Sequence, residues 1–118
     1  MKKITDIKAV TLDEVMKHLK NGWELYGYPM VPAGNAPYPH YQCMVKYADE
    51  EIVGKIVEFI EIEAHVNEVV GGRHTELTSK AKKHIEAGYQ PYGFINRTRT
   101  NQHGDCFTYD YLAMVKYE

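Results

Sequence analysis

The sequence contains few of the residues that mark specialised classes of protein. Among 118 residues there are two cysteines, one tryptophan and three arginines. Cys43 and Cys106 do not have CxxC spacing and could form at most one disulfide, which is too few for a small disulfide-stabilised scaffold. We therefore expect free thiols.

Long apolar runs are also missing. No stretch approaches the roughly 18–20 apolar residues needed to span a bilayer, and Lys2, Lys3 and Asp6 interrupt the start of the chain before a signal-peptide core could form. The net charge of −2 argues against binding to extended nucleic acid, because duplex affinity depends on many Lys and Arg contacts to phosphate. We expect a cytoplasmic protein without membrane association.

An internal repeat dominates what the sequence does contain. Residues 17–28 align with residues 83–94 at an offset of 66, and Tyr41–Tyr47 aligns with Tyr111–Tyr117 at an offset of 70. Two shared motifs in the same order indicate a duplication. The sequence therefore predicts one domain, 1–118. It would contain two repeats, at about 3–48 and 55–118, joined by an acidic connector at 49–54.

Each repeat has the pattern of an amphipathic helix. Thr11 and Glu14 form a capping-box pattern before the first helix, whereas Thr75 or Thr78 could cap the second. The apolar stripes are Leu12, Val15, Met16 and Leu19 in the first helix and Leu77, Ala81 and Ile85 in the second. Gly22 and Gly88 follow the helices, where a left-handed C-terminal cap favours glycine.

The remaining segments are typical of strands. Aromatic and β-branched residues predict a hairpin after each helix and one strand before it. The expected strands are 4–10, 23–31 and 41–47 in the first repeat and 55–66, 89–96 and 107–117 in the second. The unit is β-α-β-β, twice. We predict an α+β fold with a mainly antiparallel sheet of about six strands and both helices packed on one face. A helix over 51–66 is the alternative, but the alternation of Ile and Glu favours a strand.

The repeated residues also resemble a known family. Gly-Trp, a glycine four residues later, and a Tyr-Gln-Ala-Met-Val-Lys-like strand resemble the short bacterial and phage domains called domain of unknown function 1737. In the first repeat the resemblance is carried by Gly22, Trp23, Gly27, Tyr41, Gln42, Met44, Val45 and Lys46, and in the second by Gly88, Pro91, Gly93, Ala113, Met114, Val115 and Lys116. Cys43 and Tyr89 depart from the pattern. The resemblance implies a fold but no activity, and the occurrence of the family in phages implies an accessory or anti-defence role.

Four aromatic residues form the first candidate surface. Tyr26 and Tyr92 occupy equivalent positions in the repeats, and Tyr28 and Phe94 follow two residues later. If the helices cover one face of the sheet, these rings form a platform on the other face. Such a platform can stack a nucleobase or lie in an oligomer interface, where Tyr is enriched.

The segment 96–105 is the second candidate, because it places several ligand-binding side chains on an expected hairpin tip. These residues are Arg97, Arg99, Asn101 and His103, with Arg73 before the second helix as a companion. Guanidinium groups suit phosphate. A solvated loop without a ligand is the alternative.

Other constellations have weaker support. His18 and His84 could meet as metal ligands or as a pH-sensitive contact, but histidines at the edge of a core explain them better. Cys106 with His103 is a thiol–base pair on one flexible loop, which is a poor basis for catalysis. We therefore expect no catalytic residues, no metal and no cofactor.

The sequence favours a non-enzymatic binding protein that sequesters a small anionic, nucleotide-like molecule and forms a homo-oligomer. The aromatic residues and the arginines of the second repeat would hold this ligand. The alternative is a protein–protein interaction module with no small ligand.

Overall fold

The computed structural model describes residues 1–29, 41–63, 73–100 and 102–118. Its N-terminal sheet has the strand order β1-β3-β2 and is antiparallel. The strands are β1 (Lys2–Thr11), β2 (Glu24–Leu25) and β3 (Tyr41–Glu51). Between β1 and β2 a short 3₁₀ turn, Leu12–Glu14, leads into helix α1, Val15–Lys20.

The C-terminal sheet repeats this order as β4-β6-β5, again antiparallel. Its strands are β4 (Ile56–Glu63), β5 (Gln90–Thr100) and β6 (Cys106–Tyr117), and helix α2 (Arg73–Glu86) precedes β5. Among the described residues, no helix is long and apolar enough to cross a membrane.

The α+β class is confirmed, but the prediction of one sheet with about six strands is wrong. The described strands form two three-stranded sheets. The physical reason lies at β1, an edge strand against which α2 packs. There the backbone of Ile4 hydrogen-bonds to the side chain of Gln90. A helix and a side chain therefore cover this edge in place of a neighbouring strand.

The strand expected at 55–66 is confirmed over Ile56–Glu63, so the helical alternative is wrong there. The first predicted hairpin is shorter than expected, because β2 contains only two residues and Gly27 follows with a φ of 75°. The second hairpin is longer: β5 continues to Thr100, so Arg97 and Arg99 lie in a strand and not in a hairpin-tip loop. The alternating β-branched residues Thr98 and Thr100 favour this extension.

Two hydrophobic cores replace the single helix-covered face that the sequence predicts. The larger core joins both sheets to α2 and consists of Ile4, Ile7, Ala9, Cys43, Val45, Ile62, Ala81, Leu112 and Met114. In the smaller core, Val15 and Leu19 of α1 pack against Val10, Trp23 and Met44. Cys43 and Met44 are consecutive strand residues and point to opposite faces. The N-terminal sheet is therefore covered on both faces.

The apolar stripe of the first helix is only partly buried. Leu12 and Met16 have 46% and 62% of their surface exposed. The 3₁₀ turn has about 3.0 residues per turn against 3.6 in an α-helix, which moves Leu12 out of line with Val15 and Leu19. The predicted capping box is also absent, because Thr11 makes no side-chain hydrogen bond to the helix start. In α2, Thr75 and Thr78 lie inside the helix, so neither is its N-cap.

Both helices end in the same C-terminal motif, as the glycines predict. The N–H of Trp23 donates to the carbonyl of His18, and the N–H of Gly22 donates to that of Leu19. These are the two hydrogen bonds of a Schellman motif. Gly22 has a φ of 88°, and Gly88, after α2, has a φ of 100°.

We expect Gly22→Ala to lower the free energy of unfolding by about 1–2 kcal/mol, because a Cβ is disfavoured in the left-handed region. No atom of the described residues beyond its chain neighbours lies within 4 Å of that Cβ, so the cost is conformational rather than steric. Urea denaturation measures this change. Gly93→Ala, at an open strand position without a left-handed φ, is the control, and an equal loss there would contradict the explanation.

Candidate functional site

The structure separates the four aromatic residues of the predicted platform. Tyr26 and Tyr28 both contact Phe94, each with ring centroids 5.9 Å apart. Tyr26 and Phe94 pack against the larger core, and Phe94 approaches so closely that a Cβ on Gly27 would lie 2.6 Å from its ring. Burial raises the pKa of Tyr26. These rings therefore join the two sheets.

Tyr92 lies on the opposite face of the C-terminal sheet. Its ring contacts Phe59, with centroids 6.2 Å apart. Phe59 pairs with Val115, whereas the next pair, Ile60 and Met114, faces the larger core. Since consecutive strand residues alternate between faces, Phe59 and Tyr92 lie on the far face, which we define as the side of this sheet away from the core. The prediction that Tyr26 and Tyr92 share one face is wrong, because a register shift between Pro91 and Gly93 interrupts β5.

An open notch lies beside this aromatic pair. Gly93, Ala113 and Glu61 form one row across β5, β6 and β4. No atom of the described residues, apart from its chain neighbours, would lie within 4 Å of a Cβ on Gly93. The open space on the far face is therefore confined to the position above Gly93, because the neighbouring Ala113 is only 1% exposed. It lies next to Phe59 and Tyr92, whose surfaces are 53% and 57% exposed.

Arg97 lies beyond the neighbouring row, in which Ile95 pairs with Tyr111, and its guanidinium reaches back to Glu61. Its guanidinium donates from Nη2 to Oε1 of Glu61 at 2.6 Å, and its central carbon lies 5.5 Å from the ring centroid of Tyr111. The Arg97 side chain is 53% exposed. A guanidinium has five N–H donors, so one bond to Glu61 leaves others for a ligand. We call Phe59, Glu61, Tyr92, Gly93, Arg97 and Tyr111 the aromatic trough.

The trough combines two of the sequence-predicted site residues, Tyr92 and Arg97, with four that sequence analysis missed. Phe59, Glu61 and Tyr111 lie on neighbouring strands, and only the strand register brings them to Arg97. The sequence signal that could have identified Phe59 is its place among alternating residues of β4, on the side opposite Ile60 and Ile62.

Of the other polar residues predicted for the site, only His103 has a side chain that the structure describes. His103 lies in the turn after β5, where its Nε2 is 3.5 Å from Nε2 of Gln102. Arg73 begins α2 and Arg99 lies in β5, but their side chains are outside the described part of the molecule. Asn101 is outside the described residues altogether.

His18 and His84 have matching structural roles. Nδ1 of His18 lies 2.8 Å from the carbonyl oxygen of Glu14, and Nδ1 of His84 lies 2.7 Å from that of Lys80. Each imidazole also makes an edge contact with the aromatic residue after its helix, Trp23 or Tyr89. In the part of the chain that the structure describes, no group of three His, Cys, Asp or Glu residues could hold a metal ion.

An open cleft with an acidic lining lies beside the end of β3, which continues to Glu51 and so includes part of the predicted connector at 49–54. Glu50, Glu51 and Glu86 line it together with Lys3 and Gln90. Lys3 pairs with Glu50 at 3.9 Å, and the N-terminal amino group pairs with Glu51 at 2.6 Å. The excess of carboxylates disfavours an anionic ligand at this cleft.

The N-terminal sheet carries a group of lysines that sequence analysis did not single out. The Nζ atoms of Lys8 and Lys46 lie 4.2 and 5.2 Å from the ring centroid of Trp23. Nearby, Lys82 pairs with Asp6 at 3.3 Å. Because Lys8 and Lys46 are distant in sequence and Lys82 belongs to α2, only the fold assembles this positive surface.

Comparison of the chain with models of protein families, with curated proteins and with solved structures found no match. The resemblance to the domain of unknown function 1737 family thus stays a prediction.

Proposed function

We propose that this chain is a non-enzymatic binding protein that holds a small anionic, nucleotide-like molecule in the aromatic trough. The observation that carries the proposal is the open space over Gly93, which lies between the exposed pair Phe59–Tyr92 and the half-exposed guanidinium of Arg97. The protein would act by occupancy, sequestering the ligand in the cytoplasm without converting it.

The chemistry of the trough suits a flat ring that carries a negative group. An aromatic side chain that stacks on a base contributes about 1–3 kcal/mol, and the guanidinium of Arg97 can donate two parallel hydrogen bonds to a phosphate or carboxylate. Glu61 partly neutralises Arg97. Net attraction of the anion is therefore modest, and stacking with directed hydrogen bonds supplies the selectivity.

The exposed aromatic pair also favours a second candidate, in which the same surface binds a protein. Tyr and Phe are enriched in interface cores, and Phe59 and Tyr92 are about half exposed. A homo-oligomer formed through the trough would exclude a nucleotide from it. Light scattering with and without nucleotide separates the two candidates.

Internal duplication is part of the proposal. The two sheets have the same strand order, both helices end at a glycine with positive φ, and His18 and His84 make the same carbonyl and ring contacts. Two copies of an ancestral domain, of the kind that the family resemblance suggests, explain this agreement. The trough residues Phe59 and Arg97 would then be additions specific to the second copy.

The test is nucleotide binding by the wild-type protein and by Gly93→Val, Arg97→Ala and Tyr28→Ala. Calorimetric titration with adenosine and guanosine 5′-monophosphates is expected to show binding to the wild type. Nucleotide affinity should fall about tenfold or more in Arg97→Ala, which loses the charge-assisted hydrogen bonds, and in Gly93→Val, which places a side chain in the notch. Gly93 has an unstrained φ and an open Cβ direction, so Gly93→Val should remain folded.

Tyr28→Ala is the matched control, because Tyr28 is an exposed tyrosine outside the trough. It should bind nucleotide as the wild type does. The proposal fails if neither nucleotide binds and none is released when the purified protein is denatured. It also fails if Tyr28→Ala loses affinity as strongly as Arg97→Ala.

A further inference from the structure

The outer face of the N-terminal sheet, which α1 partly covers, concentrates positive charge around one indole ring. In the register of β1 and β3, Lys8 lies opposite Met44 and Lys46 lies opposite Asp6. Residues 44 and 46 share a face of the strand. Both ammonium groups therefore lie on the side where Met44 packs near α1, at 4.2 and 5.2 Å from the ring centroid of Trp23.

Carboxylates nearby do not balance this charge. Lys82 of α2 pairs with Asp6 at 3.3 Å, and Lys17 of α1 lies 3.8 Å from Glu14. Among the described residues, the ion pairs of these four lysines involve two carboxylates, in a chain whose net charge is −2. We call Lys8, Lys17, Lys46 and Lys82 the lysine cluster.

Burial and the neighbouring lysines disfavour the charged form of Lys8. Burial lowers its pKa, Asp6 raises it, and the positive charges of Lys46, Lys82 and Lys17 lower it further. An anion bound among these groups would remove the repulsion and favour the charged form of Lys8.

The C-terminal sheet has a balanced version of the same arrangement. There Lys116 lies 4.7 Å from the ring centroid of Tyr89, and the hydroxyl of Tyr89 donates to Glu58 at 2.6 Å. Lys8 lies opposite Met44 in the N-terminal sheet. At the equivalent position of the C-terminal sheet, Ile60 lies opposite Met114. A second lysine at the aromatic ring is therefore not required for this type of sheet and helix to fold.

We propose that the lysine cluster is a binding site for a multiply charged phosphate group. Ammonium groups are compact donors that bind phosphate through charge-assisted hydrogen bonds. The Trp23 ring holds Lys8 and Lys46 in place by cation–π contact. This site lies on a different sheet from the aromatic trough, so it does not depend on the proposed function.

Trp23 provides the readout, since it is the single tryptophan of the chain. Titration of the full chain with sodium pyrophosphate, at constant ionic strength maintained with sodium chloride, should change its fluorescence to saturation. Calorimetry on the same samples gives the affinity independently. We expect Lys46→Gln and Lys8→Gln each to weaken binding about tenfold or more.

Lys116→Gln is the matched control, since Lys116 contacts Tyr89 as Lys46 contacts Trp23, and it should bind pyrophosphate as the wild type does. Lys17→Gln and Lys82→Gln cover the case in which Lys8→Gln is unfolded, because these side chains are 71% and 46% exposed. Each should weaken binding. Gly93→Val should leave pyrophosphate binding unchanged even if it abolishes binding of nucleoside monophosphates.

Adenosine diphosphate and adenosine identify the source of the phosphate. If adenosine diphosphate binds, the Lys→Gln variants weaken that binding and adenosine does not bind, the ligand is the phosphate chain of a nucleotide. If pyrophosphate binds and the diphosphate does not, the ligand is inorganic. The proposal is overturned if fluorescence and heat changes match those of added sodium chloride, or if Lys116→Gln weakens binding as much as Lys46→Gln.

Discussion

Replacing Gln90 with leucine is expected to lower the free energy of unfolding by about 2–6 kcal/mol, because two buried backbone groups would lose their partner, at about 1–3 kcal/mol each. Oε1 of Gln90 accepts from the N–H of Ile4 at 2.7 Å, and its Nε2 donates to the carbonyl of Ile4 at 2.9 Å. Both residues are about 95% buried. Water cannot easily replace the lost bonds.

Urea denaturation followed by circular dichroism measures the loss. Gln102→Leu serves as the control, since Gln102 lies in an exposed turn, and it should change the midpoint little. Gln90→Glu is a second variant that keeps an acceptor for Ile4 but loses the donor and adds a buried charge, so it should also destabilise. If Gln90→Leu unfolds at the same urea concentration as the wild type, this carboxamide does not hold the two sheets together.

The elements that sequence predicts well are those with local causes. Gly22 and Gly88 mark the helix ends because only glycine adopts positive φ readily, and both do so in the structure. The strand over Ile56–Glu63 follows from its alternation of apolar and acidic residues. These features need no knowledge of distant contacts.

The division into two sheets could not be predicted in this way. It depends on α2 packing against β1 and on the bonds between Gln90 and Ile4, residues that are 86 positions apart. In isolation Gln90 looks like any polar residue at the start of a strand. Nothing in a local pattern shows that its side chain substitutes for a neighbouring strand.

The candidate site was predictable in composition but not in geometry. The aromatic and arginine content of the predicted second repeat identifies Tyr92 and Arg97. The register shift between Pro91 and Gly93 then places Tyr92 with Phe59 on the far face, while Phe94 remains in the core. A single irregularity in a strand changes which side chains share a face, because alternation has a period of two.

Replacing Trp23 with alanine should produce the other large effect, a loss of about 3–5 kcal/mol, as expected when a large buried aromatic residue is removed. Trp23 is 8% exposed and forms the smaller core with Val10 and Met44. Its ring also lies against the ammonium groups of Lys8 and Lys46. The variant would leave a cavity and would remove the ring that both ammonium groups contact.

Tyr89→Ala is the internal comparison, because Tyr89 follows α2 as Trp23 follows α1. We expect a smaller loss there, since Tyr89 is less buried and its hydroxyl partner, Glu58, is exposed. Thermal and urea unfolding of both variants measure the difference. Equal losses would mean that packing in the smaller core adds no stability beyond that of the C-terminal motif that both helices share. A larger loss at Trp23 that sodium pyrophosphate cannot offset, although it stabilises the wild type, would show that the indole ring supports both the N-terminal sheet and the lysine cluster.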